Sequence, residues 1–476
     1  GCGRRRAGAG PGGRAGLRPG QPGRPAAGGR RRAPPVPAPG AGVRRAVDVR
    51  FRPGGPVRAA MLLPAGVRRG RGGPRGCAPG GPGRAPRPRP GHRPHLRPLR
   101  LLGAAGGLTW GEMHAVLVNP RAQKSHRRLP LSLLFLARGI PADVTWEIRD
   151  CNVEADALAR AEAAIARDPA GTVLLVTVMP GPQLRAAVPW CRAVKARFPA
   201  VTIVWGGYFP TVYPEACAQD PAVDVVVIGQ GEQTVGALLA ALGSGADPGA
   251  VPGCAVWRDG ALVQGPTQRF RASAHFGPAA YERLDMDRYA AQTFLGQRTY
   301  NHHASVGCPY VCNFCAVTNM FGGRWLADPA DDVVRVVRHL HDAYGADAIE
   351  FHDNNFFAAE KRVRAVADGI ADLGVRWWGE GRIDTMLGWS DDTWRAMRDS
   401  GLAMVFYGAE SGDQEALDAM DKGGLRVSDV RALNQRARRW GIIPEFSFVL
   451  GNPMDPGGDI DRSLALIRDL KSDNPR

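Results

Sequence analysis

The first 112 residues contain no lysine and only two acids, Asp48 and Glu112, against 24 arginines. The formal charge of +17 therefore belongs to this tail, because residues 113–476 hold 38 basic and 43 acidic side chains. A basic surface for nucleic acid is thus not a property of the body of the protein. The tail also lacks any apolar period. Its Gly, Pro, Ala and Arg cannot bury enough apolar surface to offset chain entropy, and it is expected to be disordered. The functional alternative is an arginine-rich arm for nucleic acid, but nucleic acid is not the expected partner. There is no apolar core and cleavage site of a secretory signal. So much Arg without Lys reads as translated GC-rich DNA upstream of a start codon. Met113 is accordingly expected to be the native initiator, since the strand-like "HAVLVN" follows at once.

Two further absences narrow the class. No run of about 18 apolar residues exists, so no membrane span is expected. Cysteines are few and mostly single: Cys2 and Cys77 lie in the tail, while Cys151, Cys191, Cys217 and Cys254 sit apart in apolar or mixed segments. They read as small buried hydrophobes in a reducing cytoplasm rather than as a disulfide framework.

What remains is ordered alternation. Short apolar runs alternate with helical segments from Met113 onward, the pattern of parallel βαβ units. Strands are expected at 114–119, "DVTWEIRD", 171–178, 201–207 and the start of 224–242, giving a doubly wound open sheet over 113–247. In such a sheet the ligand crevice lies beyond the strand C-termini. Those ends carry Asn119, Thr177, Gly206, Gly207, Gly229, Gly231 and Glu232. Any one glycine there can simply permit a turn, but several on one edge favour a ligand lying close to backbone. "GQGEQT" does not fit a dinucleotide fingerprint. Residues 248–300 read as a small hairpin and connector. Five βα units follow over 301–476, with Ser390 and Ser428 as helix N-caps and Gly374, Gly401 and Gly441 as helix stops. A further strand is expected where the chain ends, so truncation after the fifth unit is expected.

Cys308, Cys312 and Cys315 form a C-x₃-C-x₂-C loop after the first of these strands. Three thiolates on one turn suit three irons of a [4Fe–4S] cluster. Structural zinc wants four ligands, and no second cysteine pair supplies them. His302 and His303 precede the loop, but neighbours on a strand point to opposite sides. A cluster with three protein ligands leaves one iron open to chelate an amine and a carboxylate.

"GCPYVCNFC" resembles the cluster loop of radical S-adenosylmethionine (SAM) enzymes. Residues 113–300 are similar to the N-terminal cobalamin-binding domain of the class B, BchE-like group, through "PLSLLFLA", "WGGYFPTVYPE" and "VVVIGQGEQTVGALL". The resemblance implies a Rossmann-like cobalamin domain followed by a partial, TIM-like (β/α) barrel, with cofactors [4Fe–4S], SAM and cobalamin. It implies that Cys308, Cys312 and Cys315 hold the cluster and that Phe314 lies against adenine. Asp353 and Asn354 would face the methionine amino group. Glu380 and Arg382, with Glu410 and Ser411, would serve the ribose and carboxylate, Arg382 and Glu410 being the catalytic candidates. Val449 and Gly451 would lie near adenine. By the bare residues, Arg382 could equally pair with Glu380 or Asp384. The turn residues named above would cradle cobalamin. The D-x-H-x-x-G motif that supplies a histidine to cobalt is absent, which implies cobalt held without a protein histidine.

The implied reaction is C-methylation of an unactivated carbon in a small molecule, lipid or natural product, with an external donor such as flavodoxin or ferredoxin. Radical cyclisation or rearrangement without methyl transfer is the alternative, and a non-catalytic cobalamin or SAM sensor is a third. A methylthiolating enzyme would need a second cysteine trio, and Cys151, Cys191 and Cys217 are too widely spaced to form one.

Overall fold

The computed structural model describes residues 113–122, 127–451 and 458–474. The arginine-rich tail and its expected disorder lie outside the described residues. So do Asn452 and Pro453, which close the "FVLGNP" motif.

The first half runs β1 (His114–Asn119), α1 (Leu131–Ala137), β2 (Thr145–Asp150), α2 (Ala157–Arg167), β3 (Thr172–Thr177), α3 (Pro182–Arg197), β4 (Thr202–Gly206), α4 (Tyr208–Val212), α5 (Pro214–Ala218), β5 (Val225–Val227), α6 (Gly231–Ser244), β6 (Cys254–Arg258) and β7 (Ala261–Gln264). The strands order as β2-β1-β3-β4-β5-β6-β7. β1 to β5 are parallel, and every residue of the central β3 is buried, as a strand covered on both faces requires. Val116, Val118, Leu174, Val176, Ile203 and Trp205 pack one face beneath α2, α3 and α5. Ala115, Leu117, Val173, Leu175 and Val204 pack the other, beneath α1 and α6. The hairpin expected within a connector is an integral part of this sheet. β6 adds antiparallel to β5 and β7 to β6, so the sheet is mixed rather than purely parallel.

The second half runs β8 (Thr299–His302), β9 (Ser305–Gly307), α7 (Ala316–Phe321), β10 (Trp325–Ala327), α8 (Ala330–Tyr344), β11 (Ala348–Phe351), α9 (Glu360–Ile370), β12 (Arg376–Gly381), α10 (Ile383–Leu387), α11 (Asp391–Asp399), β13 (Leu402–Glu410), α12 (Gln414–Ala419), α13 (Val427–Trp440), β14 (Ile443–Phe448) and α14 (Asp459–Asp473). Five parallel strands order as β14-β13-β12-β11-β8, the partial barrel. Strand alternation divides its faces. Phe351, Trp377, Val405 and Tyr407 are fully buried with Val333, Val363, Trp394 and Val430 of the helices. Glu350, His352, Trp378, Glu380 and Phe406 occupy the other, less buried face, the barrel interior.

Local signals were legible unevenly. Ser390 caps α11 by accepting from Thr393 N at 3.3 Å, and Gly374 and Gly441 end their helices with φ of 66° and 71°. Ser428 is not a cap. α13 starts one residue earlier, because the Asp429 carboxylate accepts from Arg426 N at 3.0 Å and fixes the first turn there. The antiparallel pair β9–β10, which frames the cysteine loop, was not anticipated from the sequence. Its strands are three residues each, too short to show a period.

A contact between the two halves bears on function. Asn301 of β8 is buried, accepts from Leu129 N at 2.7 Å and donates to Leu129 O at 3.3 Å. The segment joining β1 to α1 is thereby clamped to the barrel.

Candidate functional site

Cys308, Cys312 and Cys315 lie on the loop that leaves β9 and enters α7. Cys315 N donates to Cys312 O at 3.2 Å and Thr318 Oγ1 donates to the same oxygen at 3.1 Å, closing the turn. Cys312 is buried, while Cys308 and Cys315 are partly exposed. Two donors from neighbouring strand ends reach these sulfurs. Arg382 Nη1 lies 3.4 Å from Cys312 Sγ, and Asn355 Nδ2 lies 3.7 Å from Cys308 Sγ. Burial pushes the Cys308 thiol up, while Asn355 and the Arg382 charge act the other way. Burial first, with nearby carboxylates adding to it at Cys151, Cys191 and Cys217, pushes these three and Cys254 up to about 12, so those four are inert packing thiols.

Arg382 is fixed from four sides. Its guanidinium is buried, lies 3.8 Å above the Tyr310 ring, donates to Lys422 O at 2.6 Å and forks onto Asp384 at 3.0 and 2.9 Å. Of the two partners left open by the sequence, Asp384 is the one taken. Burial would lower this guanidinium, and the Asp384 carboxylate more than compensates. Glu380 differs. It makes no hydrogen bond among the described residues, and burial, together with the Asp353 and Glu445 carboxylates, raises it to about 7. Trp378 and Phe406 flank it on the same sheet face.

The remaining expected residues divide. Asp353 is buried and takes Ala304 N at 3.1 Å and Ser305 Oγ at 2.5 Å, so its carboxylate holds the entry to the cysteine loop; burial raises it to about 6. Asn354 is exposed, and it is the next residue, Asn355, that turns inward. Glu410 has φ 61° and pairs with Lys422, a partner the sequence reading did not name. Ser411 is buried on Asp459 and receives Asp413 N at 3.0 Å, which ties β13 to α14. Phe314 (42% exposed), Val449 (38%) and Gly451 are open at the same end of the barrel. His302 and His303 point apart, as expected: His302 packs against Phe135 and Phe351, and His303 faces His352. Burial lowers them to about 3 and about 4.

Along the first sheet, β1, β3, β4 and β5 are parallel, so their turn residues share one edge. Gly207 has φ 97°, and a Cβ there would stand 3.0 Å from Thr177 Oγ1 and 3.3 Å from Val178 N, leaving room only for glycine. Thr177 Oγ1 lies 3.3 Å from Ser132 Oγ. A Cβ on Gly206 would meet only Val227, at 3.6 Å. Asn119 is engaged by Asp150 at 3.0 Å and Gln183 at 2.8 Å, and Glu232 pairs with Arg138 at 3.3 Å; burial raises Glu232. Gly229 and Gly231 lie against Phe270 and Leu136. This edge adjoins the cysteine loop. Tyr208, directly after Gly207, is raised first by burial and next by the charge of Cys315.

The sequence itself matches two known families: residues 127–239 the B12 binding domain, and residues 304–467 the radical SAM superfamily. The chain belongs to the radical SAM proteins that carry a cobalamin-binding domain. It is 28% identical over 277 residues to an uncharacterized methyltransferase, PH0819, of Pyrococcus horikoshii, covering 57% of this chain and 59% of that one. It is 25% identical over 243 residues to the anaerobic magnesium-protoporphyrin IX monomethyl ester cyclase of a Synechocystis strain, covering 50% and 48%. The chain thus spans about half the length of these curated relatives. The fold matches that of OxsB, a cobalamin-dependent SAM radical enzyme solved with aqua-cobalamin and SAM, with a TM-score of 0.63 and 16% identity over 74% of this chain and 51% of that one.

The residues of this radical SAM protein fit the three cofactors of its family. Among the described residues, no three His, Cys, Asp or Glu side chains converge on one metal-ion position. A cubane does not ask for such convergence, since its thiolates each bind a different iron. Asn355 Oδ1 is buried without a partner beside Cys308, and Glu380 is a carboxylate without a donor, so the barrel end holds polar groups that a bound molecule would satisfy. On the other edge, Gly206 and Gly207 are partly exposed, so a bulky ligand can approach their backbone. Asn355 and Lys422 were missed because each sits one residue or one loop beyond a motif, with nothing local to mark it.

Proposed function

We propose that this protein uses SAM and cobalamin to methylate an unactivated carbon of a small-molecule, lipid or natural-product substrate, with electrons from a flavodoxin- or ferredoxin-type donor. When bound, the cluster held by Cys308, Cys312 and Cys315 supplies the electron that cleaves SAM, and cobalamin carries the methyl group. The protein's own part is to position and to shield. Arg382 and Asn355 donate N–H groups to the thiolates and fix their charge, as hydrogen bonds around cluster sulfurs do. Glu380 offers a carboxylate to the amino group of SAM. Glu410, neutralised by Lys422, and the open side chains of Phe314 and Val449 line the position for ribose and adenine. Trp378 and Phe406 keep the interior apolar beneath these groups.

One observation carries the reading: the cysteine loop and the glycine edge of the cobalamin-binding domain are adjacent, because α4, which follows Gly207, contacts α7, which follows Cys315. Two cofactors so placed can act on a single substrate atom. The likeness to the Synechocystis cyclase favours a second reading, radical cyclisation without methyl transfer. Anaerobic reconstitution with iron, sulfide, cobalamin and SAM, followed by reduction, separates the two. Formation of both 5′-deoxyadenosine and S-adenosylhomocysteine is expected. 5′-Deoxyadenosine alone would turn the assignment to cyclisation, and neither product would leave a sensor.

A further inference from the structure

A second polar site lies at the other end of β8 from the cysteines. A cleft of about 390 Å³ opens between the clamped segment before α1, the stretch before β8 and the inner face of β11. Its lining includes Arg127, Arg128, Gln292, Gln297, Asn301 and Glu350. Glu350 is the only acid among the described residues that line it, and it is already used twice: Oε2 accepts from His352 Nε2 at 2.9 Å and meets Arg128 Nη2 at 3.3 Å. Burial pushes Glu350 up, but these two partners outweigh it and hold it ionised. Arg127 has no ion-pair or hydrogen-bond partner among the described residues, and the side-chain amides of Gln292 and Gln297 have none either. Arg128 is thus taken up by Glu350 and lies within electrostatic reach of Glu380, while Arg127 leaves one unpaired positive charge beside two free amides around a concave space.

We propose that this cleft binds an oxyanion of the substrate, a carboxylate or a phosphate, and so sets substrate specificity. Guanidinium groups and amide donors are the groups that recognise such anions. The clamp of Asn301 fixes the backbone of Leu129, next to the two arginines, so the cobalamin-binding half of the chain supplies the cation and the barrel supplies the wall. From Glu350 the inner face leads through His352 toward the strand ends. Three residues of rise, about 10 Å, separate the cleft from the level of Asp353. A substrate held here would present its reacting carbon roughly that far from its anionic group. This inference rests on the radical reaction proposed above only in calling the ligand the substrate.

Site-resolved modification of the full chain with phenylglyoxal, read by mass mapping after a protease that does not cut at arginine, tests the site without turnover. Inorganic phosphate and acetate are the two probes. Modification of Arg127 should slow about tenfold once the effective anion reaches about ten times its dissociation constant. Arg185, equally exposed and unpaired on α3, should show no such protection. Protection by phosphate alone assigns a phosphorylated substrate, and protection by acetate alone assigns a carboxylate. Glu350→Gln removes the competing acid and should bring protection at severalfold lower anion concentration, whereas a variant that merely disturbs the fold would lose it. Equal behaviour of Arg127 and Arg185 with both probes, or weaker protection in Glu350→Gln, overturns the proposal. Protection of Arg127 in protein that forms no 5′-deoxyadenosine would uphold the anion site while refuting the radical reaction.

Discussion

Replacing Glu380 by Gln should stabilise this protein at alkaline pH. Glu380 lies on the barrel interior without a hydrogen-bond donor, and its carboxyl is raised from 4.5 to about 7, first by burial and then by Asp353 and Glu445, with the Arg128 charge offsetting only part of this. An acid whose pKa is higher folded than unfolded keeps its proton longer in the native state. Stability therefore falls as pH rises between 4.5 and 7 and is constant above that window. At about 1.4 kcal/mol per pKa unit, the ionised side chain costs about 3 kcal/mol at pH 8 and less than about 1 kcal/mol at pH 5. Glutamine has nearly the same shape and no charge. In urea titrations, Glu380→Gln minus wild type should therefore gain about 2–3 kcal/mol between pH 5 and pH 8. Activity should fall in the same variant, as expected where a strained functional group has been relieved. A stability difference that does not change with pH would refute the reasoning. So would a variant less stable than wild type at pH 8.

Three other outcomes follow from the same geometry. Cys312→Ala should abolish iron incorporation during anaerobic reconstitution, measured by iron and sulfide counting, while the far-ultraviolet circular dichroism is kept. Lys422→Met should destabilise by about 3–5 kcal/mol in urea melts, because Glu410 is left as an unpaired buried charge. Gly207→Ala should cost about 1–3 kcal/mol, from a positive φ of 97° and the contact with Thr177, and should weaken cobalamin uptake followed by visible absorbance.

The sequence alone was sufficient for the alternation of strands and helices, for the parallel strands of both sheets and for the three-thiol loop, though not for the antiparallel hairpin that joins the first sheet. Each of these is written in contiguous residues: buried strands are apolar runs, amphipathic helices repeat every 3.6 residues, and C-x₃-C-x₂-C is one short turn. The expected turn residues of β3 and β4 likewise reach a common edge, because parallel strands must end on the same side. Local reasoning failed where partners are remote in sequence. Asn119 and Glu232, expected at a ligand edge, are engaged by Asp150 and by Arg138. Asp353 is committed to Ala304 and Ser305, and Ser411 to Asp459.

Tertiary structure alone decided which polar groups stay unsatisfied. Glu350 and Glu380 share one face of the barrel and look alike in sequence, each near the end of an apolar strand. One is ion-paired with Arg128 from the other half of the chain and hydrogen-bonded to His352; the other has no ion pair or hydrogen bond among the described residues, and the Arg128 charge only partly offsets its burial and the Asp353 carboxylate. A sequence specifies that a strand buries a carboxylate, through the period of its neighbours. Whether that carboxylate finds a cation depends on contacts hundreds of residues apart, and those contacts exist only once the two halves have packed.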